Sequence, residues 1–100
     1  MKRININGMN FEVHKSKYAS VDSLSRYAGR TIYDCYDKPS MAKISIYNDW
    51  LKWAYENNVE YFGISSYNGF RFSLQGLIEY EETIYILNIT STSNKAYIIE

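Results

Sequence analysis

The sequence predicts an α+β domain: a twisted antiparallel sheet, formed by an N-terminal hairpin and a C-terminal four-strand meander, packed against one main helix and one or two short helices. Three observations predict it. Asn7-Gly8 lies between two short runs that alternate apolar and polar residues. Residues 41–57 carry apolar side chains at helical spacing. From Phe62 onward period-two alternation returns, cut by turn residues into four segments. The chain has 100 residues, which is room for one domain spanning 1–100 and for no second core.

The first hairpin covers residues 2–13. Ile4 and Ile6 alternate with Arg3 and Asn5, and Phe11 and Val13 alternate with Asn10 and Glu12. Asn-Gly between them suits a type I′ turn, which needs positive φ at both central residues. Residues 14–39 are the least regular stretch. Ser20 or Asp22 is placed to cap a short helix over Leu24, Tyr27 and Ala28, with Gly29 as its stop. Thr31 and Asp34 have capping-box spacing, so a second short turn is expected before Pro39 ends it.

Ser40 then reads as the N-cap of the main helix. At about 100° per residue, Ile44, Tyr47, Leu51, Ala54 and Tyr55 form one apolar face. Ile46, Trp50 and Trp53 are expected to form another, nearly opposite. The first face is expected in the core against the sheet. The second either packs under the 14–39 segment or stays partly exposed as a binding surface, since exposed Trp flanked by Tyr has the composition of a hot spot. The strands follow as Phe62–Tyr67, then Phe70 through Tyr80 with Gly76 as a bulge or bend, then Thr83–Thr90 and Lys95–Ile99. Asn68-Gly69 supplies a second hairpin turn and Glu81-Glu82 a third. The helices are expected on one face of this sheet.

Composition excludes several functions. Eleven Lys+Arg balance eleven Asp+Glu, and 46% of residues are hydrophobic, so the chain is no acidic DNA mimic, no supercharged coat protein and no disordered tail. One Cys and one His exclude an intramolecular disulfide, a Cys-based zinc site and a multi-histidine metal site. No glycine-rich phosphate loop occurs, and no cofactor is expected. No apolar run approaches the ~18–20 residues of a membrane helix, and the N-terminus lacks a signal-peptide core. A soluble cytoplasmic domain without a membrane partner, monomeric or homodimeric, is therefore expected.

His14 and Cys35 are the only candidates for a nucleophilic pair. Nothing local marks either, and a lone Cys is more often a small buried hydrophobe. The chain is accordingly expected not to be an enzyme. Charge is uneven along the sequence: residues 1–30 carry six bases against two acids, and residues 51–100 three bases against six acids. Lys15, Lys17, Arg26 and Arg30, with Tyr18 and Tyr27 nearby in sequence, are the candidates for holding phosphates and stacking bases. Trp50 and Trp53, together with Tyr67, Asn68 and Arg71 at the second hairpin, are the candidates for contacting a protein partner.

Eleven Tyr, twelve Ile and nine Asn against five Ala and one Pro indicate AT-rich codons. In its size, its tyrosine richness and the lack of a catalytic signature, the chain resembles small accessory proteins of Gram-positive phages and prophages, anti-CRISPR proteins among them. The stretches Lys38-Pro39-Ser40 through Trp53 and Gly63 through Asn68 resemble proteins from such genomes. The resemblance implies a viral accessory protein in the host cytoplasm that binds and inhibits a host defence complex. The alternative from the residues is a small nucleic-acid-binding protein using the basic N-terminal region.

Overall fold

A computed structural model of the chain describes residues 2–15, 21–67 and 71–99. Strands β1 (Arg3–Ile6) and β2 (Met9–Lys15) form the first hairpin. Asn7 and Gly8 join them at φ 46° and 95°, the signs a type I′ turn requires. Strands β3 (Glu60–Tyr67), β4 (Arg71–Tyr80), β5 (Thr83–Ile89) and β6 (Asn94–Ile98) form the meander. All six join one sheet in the order β1-β2-β6-β5-β4-β3. The expectation of a wholly antiparallel sheet is corrected at one joint: β2 runs parallel to β6, with Val13 opposite Ala96. A tight turn forces reversal, but the long helical connection after β2 leaves direction free.

Helices α1 (Val21–Tyr27), α2 (Ile32–Cys35) and α3 (Met41–Glu56) fill that connection. The starts of α2 and α3 follow the sequence signals, whereas for α1 the expected cap Ser20 lies outside the described residues and the alternative cap Asp22 falls inside the helix. Thr31 and Asp34 form the full capping box at α2, and Lys43 N–H donates to Ser40 Oγ at the start of α3 (3.2 Å). The buried residues of α3 are Tyr47, Trp50, Trp53 and Ala54, with Ile46 and Leu51 partly buried. Around the helix these six span an arc of roughly 160°. The two apolar faces read from sequence are thus the two halves of one buried face. Tyr55, expected in the core, lies beyond its edge and is exposed.

Pairing across the strands assigns each residue to a side. Ile64, Leu74, Ile89 and Phe11 face α3, as do Leu87, Ala96, Ile78 and Tyr85, and they form the main core with it. Gly63 lies on the opposite side, where a Cβ would stand 1.6 Å from the Tyr27 carbonyl oxygen. Helix α1 therefore packs on β3 and β4 from the other side, burying Leu24 outside the main cluster. That corrects the expectation of helices on one face. The chain changes sides by wrapping the edge of β3: Gly29 N–H donates to Phe62 O and Ile64 N–H to Arg30 O (both 3.0 Å). These bonds also cover part of an otherwise open sheet edge.

Gly76 is not the bulge it was expected to be, since it pairs regularly with Leu87. Its missing side chain makes room for Val59, whose Cγ1 lies 2.4 Å from where a Cβ would be. The irregularity sits in β3, between Glu60 and Gly63.

Glu81 and Glu82 form the β4–β5 turn at φ 50° and 68°. That geometry suits Asn-Gly, whereas glutamate carries roughly 1–2 kcal/mol of left-handed strain per residue. Replacing Glu81 with Asn and Glu82 with Gly is expected to raise stability by about 1–2 kcal/mol, part of the relief being offset by the entropy of glycine. A urea melt checks this, and an unchanged or lowered midpoint would contradict the turn geometry.

Candidate functional site

The residues singled out in the sequence do not come together. Trp50 and Trp53 are each only 8% exposed. The Trp53 ring packs on Phe11 at 5.6 Å, and its indole N–H donates to Ile6 O at 3.0 Å. Trp50 packs on Phe72 at 5.1 Å. Both are core, which corrects their assignment to a partner surface. The reason is the sheet itself: the first hairpin and β4, rather than the 14–39 segment alone, supply the apolar area that covers them.

Tyr67 and Arg71 pair through their backbones at the ends of β3 and β4. Their side chains, and Asn68, lie outside the described residues, as does Lys17 of the basic set. Lys15 ends β2, while Arg26 and Arg30 belong to α1 and the wrap at β3, with β6, β5 and β4 between the two strands. All three side chains are exposed. Arg30 lies over the Tyr27 ring at 5.8 Å from its centroid. Cys35, on the α3 side, points its thiol toward Ile64 O at 3.9 Å. His14, on the other side, stacks on Tyr97 at 5.5 Å and sits 3.8 Å from Glu12. The two are held apart by the sheet and form no nucleophilic pair. Among the described residues no three His, Cys, Asp or Glu side chains are grouped to hold a metal ion, and no helix is long and apolar enough to cross a membrane.

Three tyrosines elsewhere are largely exposed. Tyr33 on α2 is 61% exposed, Tyr55 on α3 68% and Tyr61 at the start of β3 49%. Exposed tyrosine is common at interfaces, because the ring joins a large apolar area to a polar tip. Tyr55 meets Phe62 edge-on, with centroids 5.1 Å apart. Beneath them Tyr47 is buried, and burial pushes its phenol up from the ordinary value, with the neighbouring charges of Tyr55, Asp34 and Tyr33 adding to the effect. Tyr33 and Asp34 belong to α2 and Tyr55 to α3.

Asp34 is held there by the capping box. Thr31 N–H donates to its carboxylate at 2.6 Å, which keeps it below the ordinary carboxylate range, with the Thr31 hydroxyl and Arg30 acting the same way. Its folded-state pKa is depressed, so its contribution to holding α2 is present above the ordinary carboxylate value and is lost as pH falls through the folded value.

Tyr61 is the unusual member. Its φ is 56°, inside the irregular segment between Glu60 and Gly63. A bulky aromatic in the left-handed region is a strained outlier of about 1–3 kcal/mol, and such strain concentrates at functional sites. The sequence hid this surface because periodicity counts tyrosine as apolar. The available signal was the polar tip of the ring: Tyr55 falls at the edge of the helical stripe, where a hydroxyl can stay wet.

A shallower depression lies between α3 and the β5–β6 turn, lined by Lys43, Ile46, Phe72 and Thr90 through Ser93. Its chemistry is largely used up internally. Thr90 Oγ1 accepts from Ser93 N–H (2.9 Å) and donates to Ser93 O (2.7 Å), and Lys43 lies over the Tyr36 ring. No family model, curated protein or solved structure matches the chain.

Proposed function

We propose that this chain is a binding module that acts by protein–protein contact, not by catalysis, with Tyr33, Tyr55 and Tyr61 as its contact surface. The observation that carries the reading is that three tyrosines are left largely exposed, one of them on strained backbone, and that Tyr55 packs edge-on against Phe62, the chain neighbour of Tyr61. Tyrosine supplies contact area at low entropic cost and is enriched in interface cores. Occlusion of a host defence complex by a phage-type inhibitor is the specific role we propose, and it draws its support from the resemblance in size and composition. Nucleic acid is the alternative partner, through Arg26 and Arg30 beside Tyr27.

One experiment separates these readings. The tagged chain is used to capture partners from a Gram-positive host lysate, with and without nuclease, alongside Tyr33→Ala/Tyr55→Ala and Tyr61→Gly. Nuclease-resistant capture, weakened at least tenfold by the double variant, is expected; tenfold is about 1.4 kcal/mol, ordinary for interface aromatics. The double variant should lower stability by no more than about 1 kcal/mol, since both rings are exposed. Tyr61→Gly should melt no lower than wild type, because strain is relieved, while still binding less tightly. Nuclease-sensitive capture that depends on Arg26 and Arg30 would decide for nucleic acid. Equal capture by all variants would defeat the tyrosine surface.

A further inference from the structure

On the sheet side away from α3, past the end of α1, a cleft of about 370 Å³ opens between β3, β4 and β5. Leu77 and Ile84 form its floor, and Glu60, Glu79, Asn57 and Asn58 line its walls. Register explains the grouping. Glu60 pairs with Leu77 and Glu79 with Ile84, so all four side chains stand on the same face. α1 seats against Gly63, in the row of Gln75, and Leu77 lies two residues further along β4. The floor is therefore left open: Ile84 is 43% exposed, an aliphatic β-branched residue within a strand.

The surroundings of this apolar floor have one sign of charge. Glu81 and Glu82 follow at the adjoining turn, both exposed, and Glu56 ends α3 just before Asn57. Among the described residues no lysine or arginine lies within salt-bridge distance of any of these five glutamates. A small apolar floor flanked by the carboxylates of Glu60 and Glu79 complements a segment that offers an aliphatic side chain between cationic ones.

We propose that the cleft docks a lysine- or arginine-bearing segment of the protein partner, with an aliphatic side chain on Leu77 and Ile84 and the flanking cations on Glu60 and Glu79. The proposal rests on the protein-binding reading above and names the chemistry of the partner. Carboxylates on the rim steer the encounter and weaken with salt, while the floor supplies the salt-resistant part.

The test uses two dye-labelled peptides, one alternating Lys and Leu, the other Lys and Ser, titrated with the full chain and followed by fluorescence anisotropy. The chains compared are wild type, Glu60→Gln/Glu79→Gln, Ile84→Thr, and Asp37→Asn as a carboxylate removed elsewhere. Ile84→Thr keeps β-branching at an exposed position, and each chain's melt confirms its fold. Expected are preference for the Lys-Leu peptide, a loss of at least tenfold in the double Gln variant, a loss of at least threefold in Ile84→Thr, and no change in Asp37→Asn. Equal binding of both peptides with no effect of Ile84→Thr would mean diffuse charge attraction and would overturn the proposal, as would absence of wild-type binding. The capture experiment keeps the two levels apart. Undiminished capture by Glu60→Gln/Glu79→Gln overturns this proposal while the tyrosine surface stands, and no capture by wild type fails the wider reading.

Discussion

Gly63→Ala is expected to lower stability by roughly 3–5 kcal/mol, among the largest losses for the smallest change in this chain. A Cβ at residue 63 would stand 1.6 Å from Tyr27 O and 2.4 Å from Tyr27 C, both backbone atoms. No rotamer change relieves a backbone clash, so α1 must lift from β3. Lifting it breaks the Gly29–Phe62 and Arg30–Ile64 bonds and uncovers Leu24, which is fully buried. Overpacking costs about 1–3 kcal/mol and re-exposing a leucine about 1.5–3. The sum is a large share of the ~5–15 kcal/mol available to a domain of this size. Urea melts of the two chains measure it. A loss under about 1 kcal/mol would mean that α1 does not sit on this face.

Trp53→Ala is expected to be comparably severe, at about 3–5 kcal/mol, and Trp53→Phe distinctly milder. Alanine removes the contact with Phe11 and leaves a cavity. Both variants remove the indole donor to Ile6 O, so the loss in Trp53→Phe combines that bond, about 0.5–1.5 kcal/mol, with the smaller ring volume. The same truncation at Tyr55, two residues on, should cost no more than about 1 kcal/mol, because its ring is already in water. For a domain of this length 1 kcal/mol corresponds to roughly 4–8 °C in Tm, so the contrast is visible in a thermal melt. Equal shifts at 53 and 55 would contradict the division of α3 into a core face and an exposed flank.

Much of the fold was legible because each element carried its own local chemistry. Asn7-Gly8 marked the hairpin, Ser40 and Thr31 marked helix starts, and alternation from residue 62 marked the strands. Pairing between distant elements carries no such local mark. The parallel joint of β2 and β6 depends on where a long connection returns, and the two-sided placement of the helices depends on Gly63 and the wrap at Gly29 and Arg30. The proposed contact surface was the least legible part. Trp50 and Trp53 stood out by size, yet large rings on a helix face are what a core recruits first. Tyr33, Tyr55 and Tyr61 come from three separate elements, and which rings stay exposed is decided by the tertiary fold. The positive φ of Tyr61 belongs to an irregular segment that no residue type around it announces.

Photo-crosslinking tests the tyrosine surface most directly. A benzophenone side chain is placed at position 55 and, in a second chain, at the exposed Asn5 on edge strand β1. Each chain is irradiated in host lysate after nuclease treatment. A covalent adduct between one host protein and the chain labelled at 55, with none from the chain labelled at 5, is the expected result. An adduct from position 5 but not from 55, or no adduct from either, would contradict a protein-binding surface at Tyr33, Tyr55 and Tyr61.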